Sequence, residues 1–282
     1  MRIAVAAFLA VSGFAQTPPT AQQVIERIQS HIGIPWKTPT VDTFKAGDPN
    51  TPVTGIAVTM MATLDVLQRA AASGANLIIT HEPTFYNHED STAALRGQND
   101  AVLSEKEAFI RDHHLVVWRF HDHWHQRRPD GILLGMVHKL GWQPFQNADD
   151  AWLFTLPQTT VADLAASLKR KLNVSVLRVV GDPAMKLTNV AMLPGAAGSD
   201  MQIKMLENNK VQALVIGETR EWETVEYVAD AATEHKPKAL IILSHIPSEQ
   251  AGMDECTRWL KTFVKDVPVQ FVPAAQPFWA PQ

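Results

Sequence analysis

Cysteine is almost absent: Cys256 is the one thiol in 282 residues. That excludes an intrachain disulfide framework and any thiolate-rich zinc or iron–sulfur site. Positive charge is not in excess. Lys+Arg number 25 against 29 Asp+Glu, a formal net charge of −4. The chain therefore lacks the electrostatic footprint of a non-specific nucleic-acid binder. Beyond residue 15 no apolar run approaches membrane-spanning length, so no stable membrane insertion is expected. The stretch Gly195-Ala196-Ala197-Gly198-Ser199 lacks the Lys of a phosphate loop and the spacing of a dinucleotide fingerprint. It reads as an anion cradle before a helix or as a plain tight turn. What the chain does have is 46% hydrophobic residues, enough for a sizeable core. It also has eleven histidines, and their placement carries the argument.

Met1-Arg2 is followed by a small apolar run over residues 3–15 and a polar stretch over 16–20. This pattern predicts a secretory signal ending at Ala15, hence an exported, periplasmic protein. A buried N-terminal element is the other reading. From residue 21 onward helical spacing recurs over 21–32, 63–73, 160–172, 222–233 and 254–264, while 38–52 reads as a loop. Between the helices lie short apolar runs that end abruptly in polar residues. The run 76–80 ends in His81, Glu82 and Pro83. The run 115–120 ends in His121, Asp122, His123 and His125. The run 213–216 leads to Glu218, and 239–243 leads to Ser244 and His245. Continuous apolar strands alternating with helices predict an α/β fold of mostly parallel sheets flanked by helices. Such sheets bind ligands beyond the carboxyl ends of their strands, where every one of these polar motifs falls. Strands expected over 152–156, 174–180 and 189–193 suggest a second lobe inserted in the middle of the chain. The expected division is 16–145 with 236–282 for one lobe and 146–235 for the other.

Three motifs could carry chemistry. His245 and Glu249 share one face if the following helix reaches back to His245, and imidazole plus carboxylate suits a first-row divalent metal. The bland alternative is a surface His beside an N-terminal Glu that complements the helix dipole. His81 and Glu82 would point to opposite faces in a strand, but Pro83 bends the chain and can let them converge. His121, Asp122, His123 and His125 are costly to crowd as cations and useful as neutral ligands, or they form a solvated loop. Arg127 and Arg128 could hold an anionic substrate group. Glu218, Glu221 and Glu223 face the cleft or form a solvated helix start. Cys256, Trp259, Phe263 and Phe271 read as packing. Together His81, Glu82, His125, His245 and Glu249 offer more donors than one four-coordinate ion takes, which suits two metals.

These motifs resemble the Nif-three-like family, the dinuclear metal centre hexameric proteins also known as GTP cyclohydrolase I type 2 homologues. The stretch ending in His81-Glu82-Pro83 is similar to the family's His-His-Pro. His121 to His125 stand where it has His-Thr-x-x-Asp. Residues 194–199 resemble its Gly-rich turn, and His245 to Glu249 its His-x-x-x-Glu. The order and separations fit over about residues 21–280. The resemblance implies that His81, Glu82, His125, His245 and Glu249 hold two divalent ions (zinc, iron or manganese). It also implies two α/β lobes and a homohexamer. The chain departs from the pattern twice, with Glu82 in place of a His and His125 in place of an Asp; Asp122 could stand in for that Asp. The resulting expectation is an exported metal-dependent hydrolase of unknown substrate, with His121 or His123 transferring protons. The rival expectation is a non-catalytic metal-binding or scaffold oligomer.

Overall fold

The computed structural model describes residues 17–281, so the expected signal segment lies outside the described residues. The chain runs α1 (Ala21–His31), β1 (Phe44–Ala46), β2 (Ile56–Thr59), α2 (Leu64–Ala72), β3 (Leu77–Thr80), α3 (Ala93–Gly97), α4 (Ala101–Asp112), β4 (Val116–Arg119), α5 (Asp122–Gln126) and α6 (Gly131–Leu140). It continues through β5 (Leu153–Thr160), α7 (Val161–Lys171), β6 (Arg178–Val180), β7 (Lys186–Leu193), α8 (Ser199–Glu207) and β8 (Ala213–Ile216). It ends with α9 (Glu226–Thr233), β9 (Ala239–Ile242), α10 (His245–Leu260) and β10 (Val269–Phe271).

Two five-stranded sheets result, in the orders β1-β4-β3-β2-β10 and β5-β7-β8-β9-β6. Their inner pairs are parallel, as the continuous apolar runs require. The antiparallel strands β1, β5 and β6 sit at edges. Strands β2, β3, β4, β8 and β9 are buried at every position, because helices cover both faces. Side-chain alternation divides the second sheet's core. Val190, Met192, Val215 and Ile241 pack under α6 and α7, and Ala191, Leu193, Ile216 and Ile242 pack under α8 and α9.

The helices start where capping chemistry allows. Thr20 and Gln23 form a reciprocal capping box at α1, and Asp130 accepts from the Ile132 and Leu133 amides at α6. Helices α6 and α10 carry both cores between them: Ile132, Met253, Cys256 and Leu260 pack under the first sheet, and Leu133, Met136 and Val137 under the second. They cross at glycines. A Cβ on Gly252 would lie 2.5 Å from the Ile132 Cα, and one on Gly135 would overlap the Ala251 carbonyl. Cys256 is fully buried there, and burial pushes its thiol pKa up, which fits packing and not reactivity.

Three expectations need correction. The expected boundary at residue 236 is misplaced, since β9 pairs with β8 and β6 in the second sheet. The polar stretch around Lys236 is the α9–β9 connection, and the chain returns to the first core only with α10. Residues 38–52 are not all loop: β1 pairs with β4 there through Phe44 and Ala46. The helix expected over 222–233 opens as a π-turn over Glu221–Val225 before α9 begins.

Candidate metal centre

Parallel strand ends gather the polar motifs. His81 and Glu82 follow β3, their amides held by the Thr59 and Met60 carbonyls of the neighbouring strand end. After β4, His121 caps α5 and His125 lies one turn on, its amide bonded to the His121 carbonyl. His245 and Glu249 occupy the first turns of α10, also one turn apart. Ser244 before them has φ 76°, a left-handed conformation that a non-glycine residue adopts at some cost in strain.

Four imidazoles are oriented alike. The His81 Nδ1 donates to the Phe120 carbonyl at 3.0 Å, and the His125 Nδ1 to Asp130 at 2.9 Å. The His121 Nδ1 faces Asp122 at 3.0 Å, and the His245 Nδ1 faces Glu218 at 3.4 Å. With an oxygen acceptor beside each Nδ1, the four rings turn their Nε2 atoms inward, where each can take a cation, either a proton or a metal ion. The Nε2 atoms of His81 and His125 stand only 3.2 Å apart. At that distance the two nitrogens need a cation between them, either a proton shared as an N–H···N hydrogen bond or a metal ion.

The carboxylates close the cluster. Glu249 Oε2 lies 3.1 Å from His245 Nε2 and 3.6 Å from His81 Nε2, and its Oε1 lies 3.9 Å from His125 Nε2. The 3.1 Å approach is out of line for a hydrogen bond, so His245 Nε2 and Glu249 Oε2 are buried without a partner. Glu82 turns Oε1 toward His121 and His245, at 3.6 and 3.4 Å, and Oε2 toward Arg119 at 3.4 Å. Potential donor atoms fall into two overlapping groups, His81 with His121 and His125, and His81 with Glu82 and Glu249. Buried, orphaned and inward-facing nitrogen and oxygen donors are what a divalent metal needs, and this set fits one.

The electrostatics divide the rings. Burial opposes charging of His125, but Asp130, and then Glu249 and Glu82, outweigh it and raise its pKa. Burial, then the neighbouring His121 and His125, holds the His81 pKa well below its usual value, so the ring stays neutral. Burial would raise the Glu82 carboxyl, but His245 and the other imidazoles outweigh it and hold it well below the carboxylate range. Burial likewise opposes charging of His245, yet the carboxylates of Glu218, Glu249 and Glu82 push it up to about 12. The pocket is thus a negative site in which a proton on His245 takes part of the place of a larger cation.

Not every expected residue is here. His123, expected as a proton carrier, is fully buried behind the cluster: its Nδ1 donates to Asp42 at 2.7 Å, and its Nε2 accepts from the Lys37 amide at 2.9 Å. Its ring stacks on Trp36 at 3.6 Å. Both nitrogens are spent on structure, so it is not a proton carrier. Asp122 is bound by Thr40 and Val41 and steadies His121 rather than joining the donors. The Arg127 guanidinium stacks on Trp124 and Trp259, and Arg128 donates to carbonyls of its own turn. Neither Arg lines the cleft. Glu221 and Glu223 pair with Arg178 and Arg220, whereas Glu218 reaches the cluster through His245.

The cluster opens into a cavity of about 780 Å³. Gly195 of the Gly-rich turn adjoins it, and a Cβ there would overlap the Glu249 carboxylate. Its φ of 67° also favours glycine. The Gly195 amide is already taken by Ser248 at 3.0 Å. At Gly195, then, the turn serves a close approach to the cluster.

Sequence reasoning missed the residues behind the donors. Arg119 is the one charge in its apolar strand, a visible irregularity; it is fully buried and bonds the His81 and His88 carbonyls. Asp42 had no signal, yet its carboxylate accepts from the amides of His121, Asp122 and His123 as well as the His123 ring. Asp42→Ala strands these donors in the interior. It is expected to cost about 3 kcal/mol or more and to weaken metal affinity roughly 10- to 100-fold by releasing His121 and α5. Thermal melts and metal titration read both.

The sequence model of the Duf34/NIF3 family (NGG1p interacting factor 3) matches residues 41–277. The GTP cyclohydrolase 1 type 2 homolog of Clostridium acetobutylicum is 24% identical over 195 residues, which cover 65% of this chain and 68% of that protein. Among solved structures, the Staphylococcus aureus hypothetical protein SA1388 superposes with a TM-score of 0.73 at 18% identity, over 93% of this chain and 99% of that one. A Bacillus cereus protein related to NIF3 gives a TM-score of 0.69 at 14% identity, over 95% and 99%. At those identities the structural likeness speaks to the fold, a mixed α/β arrangement of two sheets flanked by helices.

Proposed function

The chain belongs to the DUF34/NIF3 family, and from that membership we propose that it is a metal-dependent hydrolase with two divalent ions, zinc, iron or manganese. The observation that carries this reading is the 3.2 Å approach of the His81 and His125 Nε2 atoms, beside an unpartnered Glu249 oxygen. His81, Glu82, His125, His245 and Glu249 would hold the ions. Bound there, a divalent metal supplies Lewis acidity and makes water acidic enough to serve as a nucleophile near neutral pH. The chain does the rest. Backbone and carboxylate acceptors on Nδ1 fix each ring. Glu249 faces the centre from the floor of the cavity. His121 is the proton carrier: its side chain is 23% exposed, so it can exchange with solvent, and Asp122 holds its Nδ1.

The substrate class is a phosphoester, a cyclic amide or a nucleotide ring; GTP enters only through the name of the Clostridium relative. The test loads the protein with zinc, manganese or iron and screens these three classes. Metal-dependent turnover is expected. His121→Gln is expected to keep the metal content and lose about 10²- to 10⁴-fold in turnover. Loss of metal instead would make His121 a donor. No turnover by any loaded form on any class would sink the hydrolase reading in favour of a metal-binding scaffold.

Periplasmic export and homohexameric assembly belong to the same reading. Export rests on the apolar start of the sequence. Assembly rests on the family resemblance, with exposed Trp222 and Trp279 as the kind of apolar surface an interface covers.

A further inference from the structure

Helix α4 buries Leu103, Lys106 and Ile110 on one face. The middle position of such a stripe calls for an apolar side chain, yet it holds a lysine that is 3% exposed. The Lys106 Nζ donates to the Thr84 carbonyl at 2.6 Å, and the Tyr86 ring lies 5.1 Å away. An ammonium has three donors, and this one uses one of them. No carboxylate pairs with it among the described residues. The nearby Asp90 lies 3.5 and 3.8 Å from Lys45 and Arg119, its Oδ2 has no hydrogen-bond partner, and its charge offsets only part of the burial of Lys106. Beside it the Thr84 hydroxyl is buried with no partner. A buried cation this poorly compensated is costly to fold around. Burial pushes its pKa down to about 8.

Lys106 and Thr84 line the same cavity as the His/Glu cluster. Its other walls are largely apolar, formed by Met61, Leu64, Tyr86, Trp152, Leu193 and Pro194. A cavity with apolar walls and a few convergent polar points orients a ligand by those points. We propose that Lys106 anchors an anionic group, a carboxylate or a phosphate, on a substrate whose apolar or aromatic body fills the cavity and whose reacting group meets the cluster. Thr84 adds its hydroxyl to the same anion. This rests on the reading of the cavity as a substrate site.

The test measures binding, not turnover. Benzoate and phenyl phosphate are titrated into the full chain, as purified and after chelation, beside the neutral analogue benzamide. At least one anion is expected to bind at least tenfold more tightly than benzamide, and the preferred anion identifies the group. Lys106→Gln removes the charge and keeps an N–H donor, on a shorter side chain that also brings an amide oxygen. It is expected to lose at least tenfold in anion affinity, with benzamide binding and metal content unchanged and a melting temperature no lower than the parent's. Lys106→Met, suited to the apolar stripe, repeats the test should the Gln variant fail to fold. Anion binding that survives both substitutions, or no anion binding by the parent chain, overturns the proposal. So does a variant that only melts earlier, which would make Lys106 a tie for the 84–90 loop. Lys106-dependent binding without turnover keeps this proposal and removes the hydrolase reading; turnover without it does the reverse.

Discussion

Glu249→Ala is expected to empty the metal centre, taking the metal content from the two ions per chain proposed above to close to none. Glu249 is the carboxylate within 4 Å of three of the inward nitrogens, those of His245, His81 and His125. Removing an outer supporting residue costs roughly 10- to 100-fold in affinity, and removing this group takes away a shared donor and its charge together. The imidazoles left behind would compete for protons with Glu82 as the remaining carboxylate near their inward nitrogens. Elemental analysis of protein purified without added metal reads the result. Glu249→Gln, which keeps the shape and one oxygen, separates charge from volume. Metal retained at the parent level in the Ala variant would show that the ions bind elsewhere.

Gly252→Leu is expected to lower stability by about 3 kcal/mol or more, a fall of order 10 °C in melting temperature for a chain of this size. The cause is local. Helices α6 and α10 approach backbone to backbone, and the added side chain would have to occupy space held by the Ile132 backbone. A rotamer change of Ile132 relieves only part of that, because its Cα stands in the way as well as its side chain. The helices must separate, and both cores open with them. Since α10 also carries His245 and Glu249, the same variant should bind metal more weakly even where it still folds. Gly252→Ala gives a smaller effect of the same sign. A Leu variant that melts with the parent would mean that the crossing is looser than the structure has it.

The parts of this fold that could be read in advance are those where one local rule decides. Apolar runs such as 77–80 and 213–216 sit in covered parallel strands because nothing but burial on both faces suits them. Their polar ends gather because parallel strands share a carboxyl side. The edges were less legible. Strand β1 is three half-buried residues in a stretch rich in Thr, Pro and Gly, and its pairing with β4 is a long-range fact. The assignment of β9 failed because a buried parallel strand looks alike in either sheet. Within the cluster, the sequence leaves His121 and His123 equivalent, and α5 separates them. One helical turn then puts His121 and His125 on the same side and sends His123 back to Asp42. The i,i+4 spacing was visible; the short helix that gives it meaning was not. Acids such as Asp42 and Asp130 carry no mark in the sequence, since what distinguishes them is the ring they meet.

The donors come from two places in the chain: His81, Glu82 and His125 precede the whole second sheet, and His245 with Glu249 follows it. A growing chain therefore makes its first donors long before Glu249 exists. Closing that long loop costs entropy that the α6–α10 crossing and the pairing of β10 with β2 repay. On the proposed metal reading, acquisition of an ion would therefore be a late step in assembly, and the metal would be set by the surroundings in which folding finishes, not by those in which synthesis begins.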